Sequence, residues 1–138
     1  MDKKTPVAKI MTRKVVVANA DNHTFSQVRR LFLKYNVHHL PVTDKNDHVL
    51  GIISSQDLLR GYEELARRIK VIDDRVLDHE LKLKDIMTKN PMIISPKETI
   101  LKVAEIFGQN KFHALPVVED GRLVGLVTSN DLIKVILD

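Results

Sequence analysis

Apolar residues fall into short blocks whose spacing changes from one block to the next. Phe25, Val28, Leu31 and Phe32 recur at helical spacing, as do Ile100, Val103, Ile106 and Phe107, which predicts two amphipathic helices. Ahead of each helix lies a short apolar run, Val15-Val16-Val17 in one case and Met92-Ile93-Ile94 in the other. Behind each lie two apolar runs parted by polar residues, Leu40–Thr43 with Val49–Ser54 and Leu115–Val118 with Leu123–Thr128, the pattern of paired strands. A further helix is predicted from Ser55-Gln56 and from Ser129-Asn130. Thr24 and Thr99 are placed to cap the first helix of each set, and Gln27 completes a capping box with Thr24. The order β-α-β-β-α thus occurs twice, which predicts an α+β fold of two like halves.

The sequence itself repeats. Ile10-Met11-Thr12 returns as Ile86-Met87-Thr88, Leu40-Pro41-Val42 as Leu115-Pro116-Val117, and Gly51 with Asp57 as Gly125 with Asp131. The offset shrinks by one residue before the first helix and by one more in the turn after Val42, places where loops absorb length changes. Asp44-Lys45-Asn46-Asp47 reads as a longer loop and Glu119-Asp120-Gly121 as a tight hairpin turn. A repeat of about 60 residues buries too little surface to be comfortable alone. The two halves are therefore expected to pack by a pseudo-twofold, with two equivalent clefts between them. The boundaries drawn are residues 1–61 for the first repeat, 62–84 for a connecting helical segment and 85–138 for the second repeat. Leu65, Ile69, Ile72 and Val76 share one helical face, so the connector is expected to prolong the preceding helix past Gly61.

Composition narrows the functional classes. The 138 residues are 43% hydrophobic and 29% charged, as in globular proteins. With no Trp and no Cys, the core must be aliphatic, and neither disulfides nor thiolate chemistry is available; a reducing, cytoplasmic setting fits. The start MDKKTPVAKIM lacks the apolar stretch of a secretory signal, and no apolar run approaches the roughly 20 residues that span a bilayer. The net charge of +4 is spread thinly, without the basic stripe or stacking aromatics of a nucleic-acid surface. No Gly-rich phosphate loop of the GxxxxGK[ST] type, HExxH metal motif or nucleophile–base order is visible, so no catalysis is expected. His38 and His39 are adjacent and point to opposite faces of a strand, which argues against a metal site.

The ordered set Ile-Met-Thr, capped helix, Leu-Pro-Val and Gly-led strand ending in Ser/Thr-x-x-Asp, present twice, resembles a tandem pair of CBS domains, named after cystathionine β-synthase. The resemblance runs from about Val7 to Ile136. It implies a single pseudo-symmetric module, regulatory and not enzymatic. AMP, ADP, ATP or S-adenosylmethionine would sit in its inter-repeat clefts, in an energy-sensing role, with no catalytic cofactor. It also implies a homodimer, and an unidentified protein that the module regulates. The apolar residues of the last helix (Leu132, Ile133, Val135, Ile136 and Leu137) support the dimer from a different side, since a helix apolar nearly all round needs cover on more than one face.

The Ser/Thr-x-x-Asp segments have two readings. As structure, Ser54 with Asp57 and Thr128 with Asp131 are helix caps. As a site, the helix start offers N–H groups to a phosphate, Ser54 or Thr128 adds a hydroxyl, and Asp57 or Asp131 can accept bonds from both hydroxyls of a ribose. His38, His39, His113 and Lys111 are further phosphate candidates. Val15, Val17, Pro91, Met92 and Ile93 are candidates for the base pocket. The alternative is a protein-interaction or structural module whose clefts bind no nucleotide.

Overall fold

The computed structural model describes residues 1–136, and its chain divides into two compact units. The central unit is continuous, Val16–Asn90. The other is discontinuous, built from Met1–Val15 and Pro91–Asp138. These packing units are cut differently from the sequence repeats, because each Ile-Met-Thr segment serves the hairpin of the opposite repeat.

In the central unit β1 (Ala18–Asn19) is followed by α1 (Phe25–Tyr35), β2 (His39–Thr43), β3 (Val49–Ser54) and α2 (Ser55–Arg68), then by α3 (Asp74–Glu80), α4 (Leu83–Ile86) and β4 (Thr88–Lys89). The sheet order is β1-β2-β3-β4. β1 runs parallel to β2, and the remaining pairs are antiparallel. Thr24 caps α1 through the reciprocal box with Gln27, and Asn36, in the left-handed region at φ 50°, ends it. The polar turn is a loop folded on Asp44, whose carboxylate accepts the N–H groups of Asn46 (2.8 Å) and His48 (3.0 Å).

The discontinuous unit rebuilds the same plan from two pieces. A 3-10 turn (Val7–Lys9) leads to Thr12, and the later segment supplies Ile94, α5 (Ile100–Gly108), β5 (Ala114–Glu119), β6 (Arg122–Thr128) and α6 (Ser129–Ile136). Ile94 bridges β5 in parallel and Thr12 bridges β6 antiparallel, with Thr12 and Leu126 exchanging both backbone bonds at 2.8 and 2.9 Å. The lateral order is therefore that of the central unit. The β5–β6 turn is a two-residue Asp120-Gly121 link with φ of 52° and 78°, the mirror-image turn that strand twist favours.

Each unit has its own aliphatic core. Leu40, Val42, Ile53, Leu65 and Val28 fill one; Val7, Val103, Leu115, Val117 and Val127 fill the other. The helical stripes read from the sequence face these cores, with Leu31 and Phe107 half-buried at their edges. α2 does continue through Gly61, but it stops at Arg68, and Asp73 caps a separate helix by accepting the Val76 N–H. Ile69, Ile72 and Val76 still pack on the same core; the apolar spacing survives while the backbone turns a corner. In α6, Leu132 is buried and Val135 half-buried, whereas Ile133 and Ile136 face outward beside exposed Lys134. Leu137 lies outside the described residues.

Candidate functional site

Both Ser/Thr-x-x-Asp segments sit where a strand passes straight into a helix. In the central unit the junction is a closed reciprocal box: the Ser54 N–H donates to Asp57 Oδ2 (2.7 Å) and the Asp57 N–H donates to Ser54 Oγ (3.1 Å). The Ser55 N–H donates to the carbonyl of His38 (3.0 Å), and among the described residues no group accepts from the Gln56 N–H, the remaining donor at this helix start. Asp57 is buried at 6% exposure, and its Oδ1 accepts from the Arg60 guanidinium one turn along α2. A buried carboxylate needs such partners, since an unpaired charge there is costly.

The discontinuous unit repeats the box with looser occupancy. The Thr128 N–H donates to Asp131 Oδ2 (2.9 Å), the Asp131 N–H to Thr128 Oγ1 (3.3 Å), and the Ser129 N–H to the carbonyl of His113 (3.1 Å). Asp131 is half-buried, and among the described residues no side chain donates to its Oδ1. A carboxylate with one oxygen engaged and one open can take two hydroxyl donors, because each oxygen carries two acceptor positions.

The histidines divide by position. The backbone of His38 and that of His113 tie strand to helix, while both side chains are exposed. His39 lies on β2 opposite Ser54, half-buried; its counterpart opposite Thr128 is Ala114. Lys111 is exposed in the loop before β5. The parallel registers set Ala18 beside Val42 and Ile94 beside Val117, so Pro91-Met92-Ile93 stand where Val15-Val16-Val17 stand. Val17 belongs to the unit of Asp57, Ser54, His38 and His39, whereas Val15 is counted with the other. Pro91, Met92 and Ile93 share the unit of Thr128, Asp131, His113 and Lys111. Met92 and Ile93 are 38% and 49% exposed, an apolar pair left facing outward in the segment between β4 and α5, outside any strand.

Sequence reasoning passed over Arg60. Its signal was the Asp-x-x-Arg spacing, which places both side chains on one helix face. It also passed over the pairing of glycine with methionine that closes each sheet. A β-carbon on Gly51 would meet Met87 Sδ at 2.6 Å, and one on Gly125 would meet Met11 Sδ at 2.5 Å.

Two units of one plan, each with a Gly-led strand delivering an acid to a helix start, define a tandem-repeat module. The chain belongs to the CBS domain family: the family's model, described as CBS domain, matches residues 7–64 and 83–138. An uncharacterised protein of Methanocaldococcus jannaschii is 30% identical over 131 residues, covering 95% of this chain but 42% of that protein, so the chain spans less than half of this relative. Among solved structures, CBSX2 in complex with AMP, a CBS-pair protein from Arabidopsis thaliana, is 27% identical, with 96% of each chain covered and a TM-score of 0.78. The CBS domain pair of protein MJ0100, in complex with 5′-methylthioadenosine and S-adenosyl-L-methionine, is 26% identical over 96% of this chain and 95% of that one, with a TM-score of 0.79. No helix among the described residues is long and apolar enough to cross a membrane.

Proposed function

We propose that this chain is a regulatory module that binds an adenosine-containing ligand, AMP, ADP, ATP or S-adenosylmethionine, and acts through binding rather than catalysis. The observation that carries the reading is Asp131: a half-buried carboxylate fixed by one oxygen to the Thr128 N–H, with no side chain among the described residues on the other oxygen. Such a group suits the vicinal hydroxyls of a ribose. Met92 and Ile93 offer an apolar surface for the base, and His113, Lys111 and Thr128 supply donors for a phosphate. Asp57, Ser54, His38, His39 and Val17 form the corresponding set in the central unit. The AMP held by one similar structure and the S-adenosylmethionine held by another support the ligand class.

Calorimetric titration of the purified chain with AMP, ATP and S-adenosylmethionine tests this directly. Hydrogen bonds to a charged acceptor contribute about 1.5–3 kcal/mol, so Asp131→Ala should weaken binding about tenfold to a hundredfold. Unchanged affinity in a variant folded by circular dichroism would remove Asp131 from the site.

The reading as an interaction or structural module draws on one observation: the Ser54–Asp57 box is complete without any ligand. Absence of heat with every adenosyl ligand would favour it. We also propose that the chain forms a homodimer, supported by outward-facing Ile133 and Ile136 on α6 and by Leu33, Leu59 and Tyr62 around an apolar groove between α1 and α2. Light scattering should give twice the chain mass; a monomer would contradict it.

A further inference from the structure

The two Asp-centred sites differ at the residue one turn into the helix, where Arg60 of α2 corresponds to Lys134 of α6. Arg60 donates to Asp57 Oδ1, which fills the oxygen that its counterpart Asp131 leaves open. Among the described residues Lys134 makes no ion pair with Asp131. Exposure points the same way. The Asp57 side chain is 7% exposed, while Asp131 is half-buried. Geometry accounts for the difference. A guanidinium presents a planar fork of donors that matches a carboxylate, whereas an ammonium on a flexible stem is strongly hydrated and holds no fixed direction.

We infer that the sites are unequal: Asp131 takes the ligand first, and Arg60 acts as a positioning residue that holds the Asp57 site closed. This rests on the proposed adenosyl-binding function and adds to it an order of filling. A ribose laying both hydroxyls on Asp57 Oδ1 needs both acceptor positions of that oxygen and so displaces the arginine from a carboxylate that is otherwise buried; at Asp131 no side chain among the described residues stands in its way. The Arg60 side chain is 72% exposed, so the latch is openable, and an exposed ion pair is worth little by itself. The expected handicap of the Asp57 site is therefore modest, about tenfold in affinity, the lower end of what one hydrogen bond to a charged group is worth. A ligand with a phosphate near the ribose would supply a new partner for the released guanidinium, so AMP should open the site more readily than adenosine.

The test is calorimetry on the full chain with AMP, with adenosine as the phosphate-free control. Wild-type protein should show one tight site per chain and a second about tenfold weaker. Arg60→Gln, at an exposed position, should bring the second site up to the first. Asp131→Asn, which keeps an oxygen for the Thr128 N–H, should abolish the tight site in the wild-type background, and in the Arg60→Gln background it should leave one tight site. Two equal sites in the wild type, or Arg60→Gln leaving the second site weak, would overturn the inference while the functional reading stood. No binding of AMP or S-adenosylmethionine by any variant would remove the functional reading, and the inference with it.

Discussion

Asp78, in the connector, binds both the N–H (2.8 Å) and the hydroxyl (2.7 Å) of Ser26, a buried serine in the first turn of α1. The matching position in the discontinuous unit is Leu101, whose N–H is met by the carbonyl of Lys3. The same orphan donor at a helix start is thus satisfied by a side chain in one unit and by backbone in the other. Asp78→Ala should cost about 1–3 kcal/mol, the penalty for leaving a buried donor unsatisfied, and should lower the thermal midpoint; an unchanged midpoint would mean that water replaces the carboxylate without loss. Asp44 gives a pH-dependent counterpart. Desolvation pulls its carboxyl upward, but the His48 ring bond, the two backbone N–H bonds and the His48 charge together hold it below its ordinary value. A lowered folded-state pKa contributes stability above the ordinary carboxylate range and loses it as pH falls through the folded value. The difference in melting temperature between wild type and Asp44→Asn should accordingly be present at neutral pH and vanish in acid. A gap that persists in acid would show that it does not come from the charge.

Strands, helices and turns with strong local signals were legible in advance. The β3 span, the Thr24–Gln27 box and the Asp120-Gly121 turn all follow from spacing and turn chemistry within a few residues. What was not legible is long-range. Thr12 and Thr88 belong to stretches too short to show a strand period, and their partners, Leu126 and Ile52, lie far along the chain. The connector misled for the opposite reason: its apolar spacing fits one continuous helix, yet Asp73 offers an N-cap that starts a new one. The methionines of Ile-Met-Thr lie against Gly51 and Gly125, with the carbonyl of Thr88 2.7 Å from a β-carbon placed on Gly51. Backbone cannot yield as a flexible side chain does. Gly51→Ala and Gly125→Ala should each cost about 1–3 kcal/mol by overpacking, read as an earlier midpoint in urea unfolding. A midpoint unmoved in both would show that the strand–methionine contact has slack.

At the scale of the whole molecule, duplication supplies the acid twice, and divergence between Arg60 and Lys134 gives the two copies different neighbours. The caps, the candidate acids and their helix starts could be named from the sequence because Ser/Thr-x-x-Asp is a local pattern. The Asp-x-x-Arg spacing puts Arg60 on the helix face of Asp57, but whether its guanidinium then turns to the carboxylate or to solvent is a rotamer choice that spacing alone does not set. The central claim is that an adenosine-containing ligand lays its ribose on the open oxygen of Asp131. A crystal structure of the chain grown with AMP tests it most directly. The account predicts both ribose hydroxyls within hydrogen-bonding distance of the Asp131 carboxylate, with the base against Met92 and Ile93. AMP found with its ribose away from both Asp131 and Asp57, for instance in the apolar groove beside Leu33 and Tyr62, would contradict it.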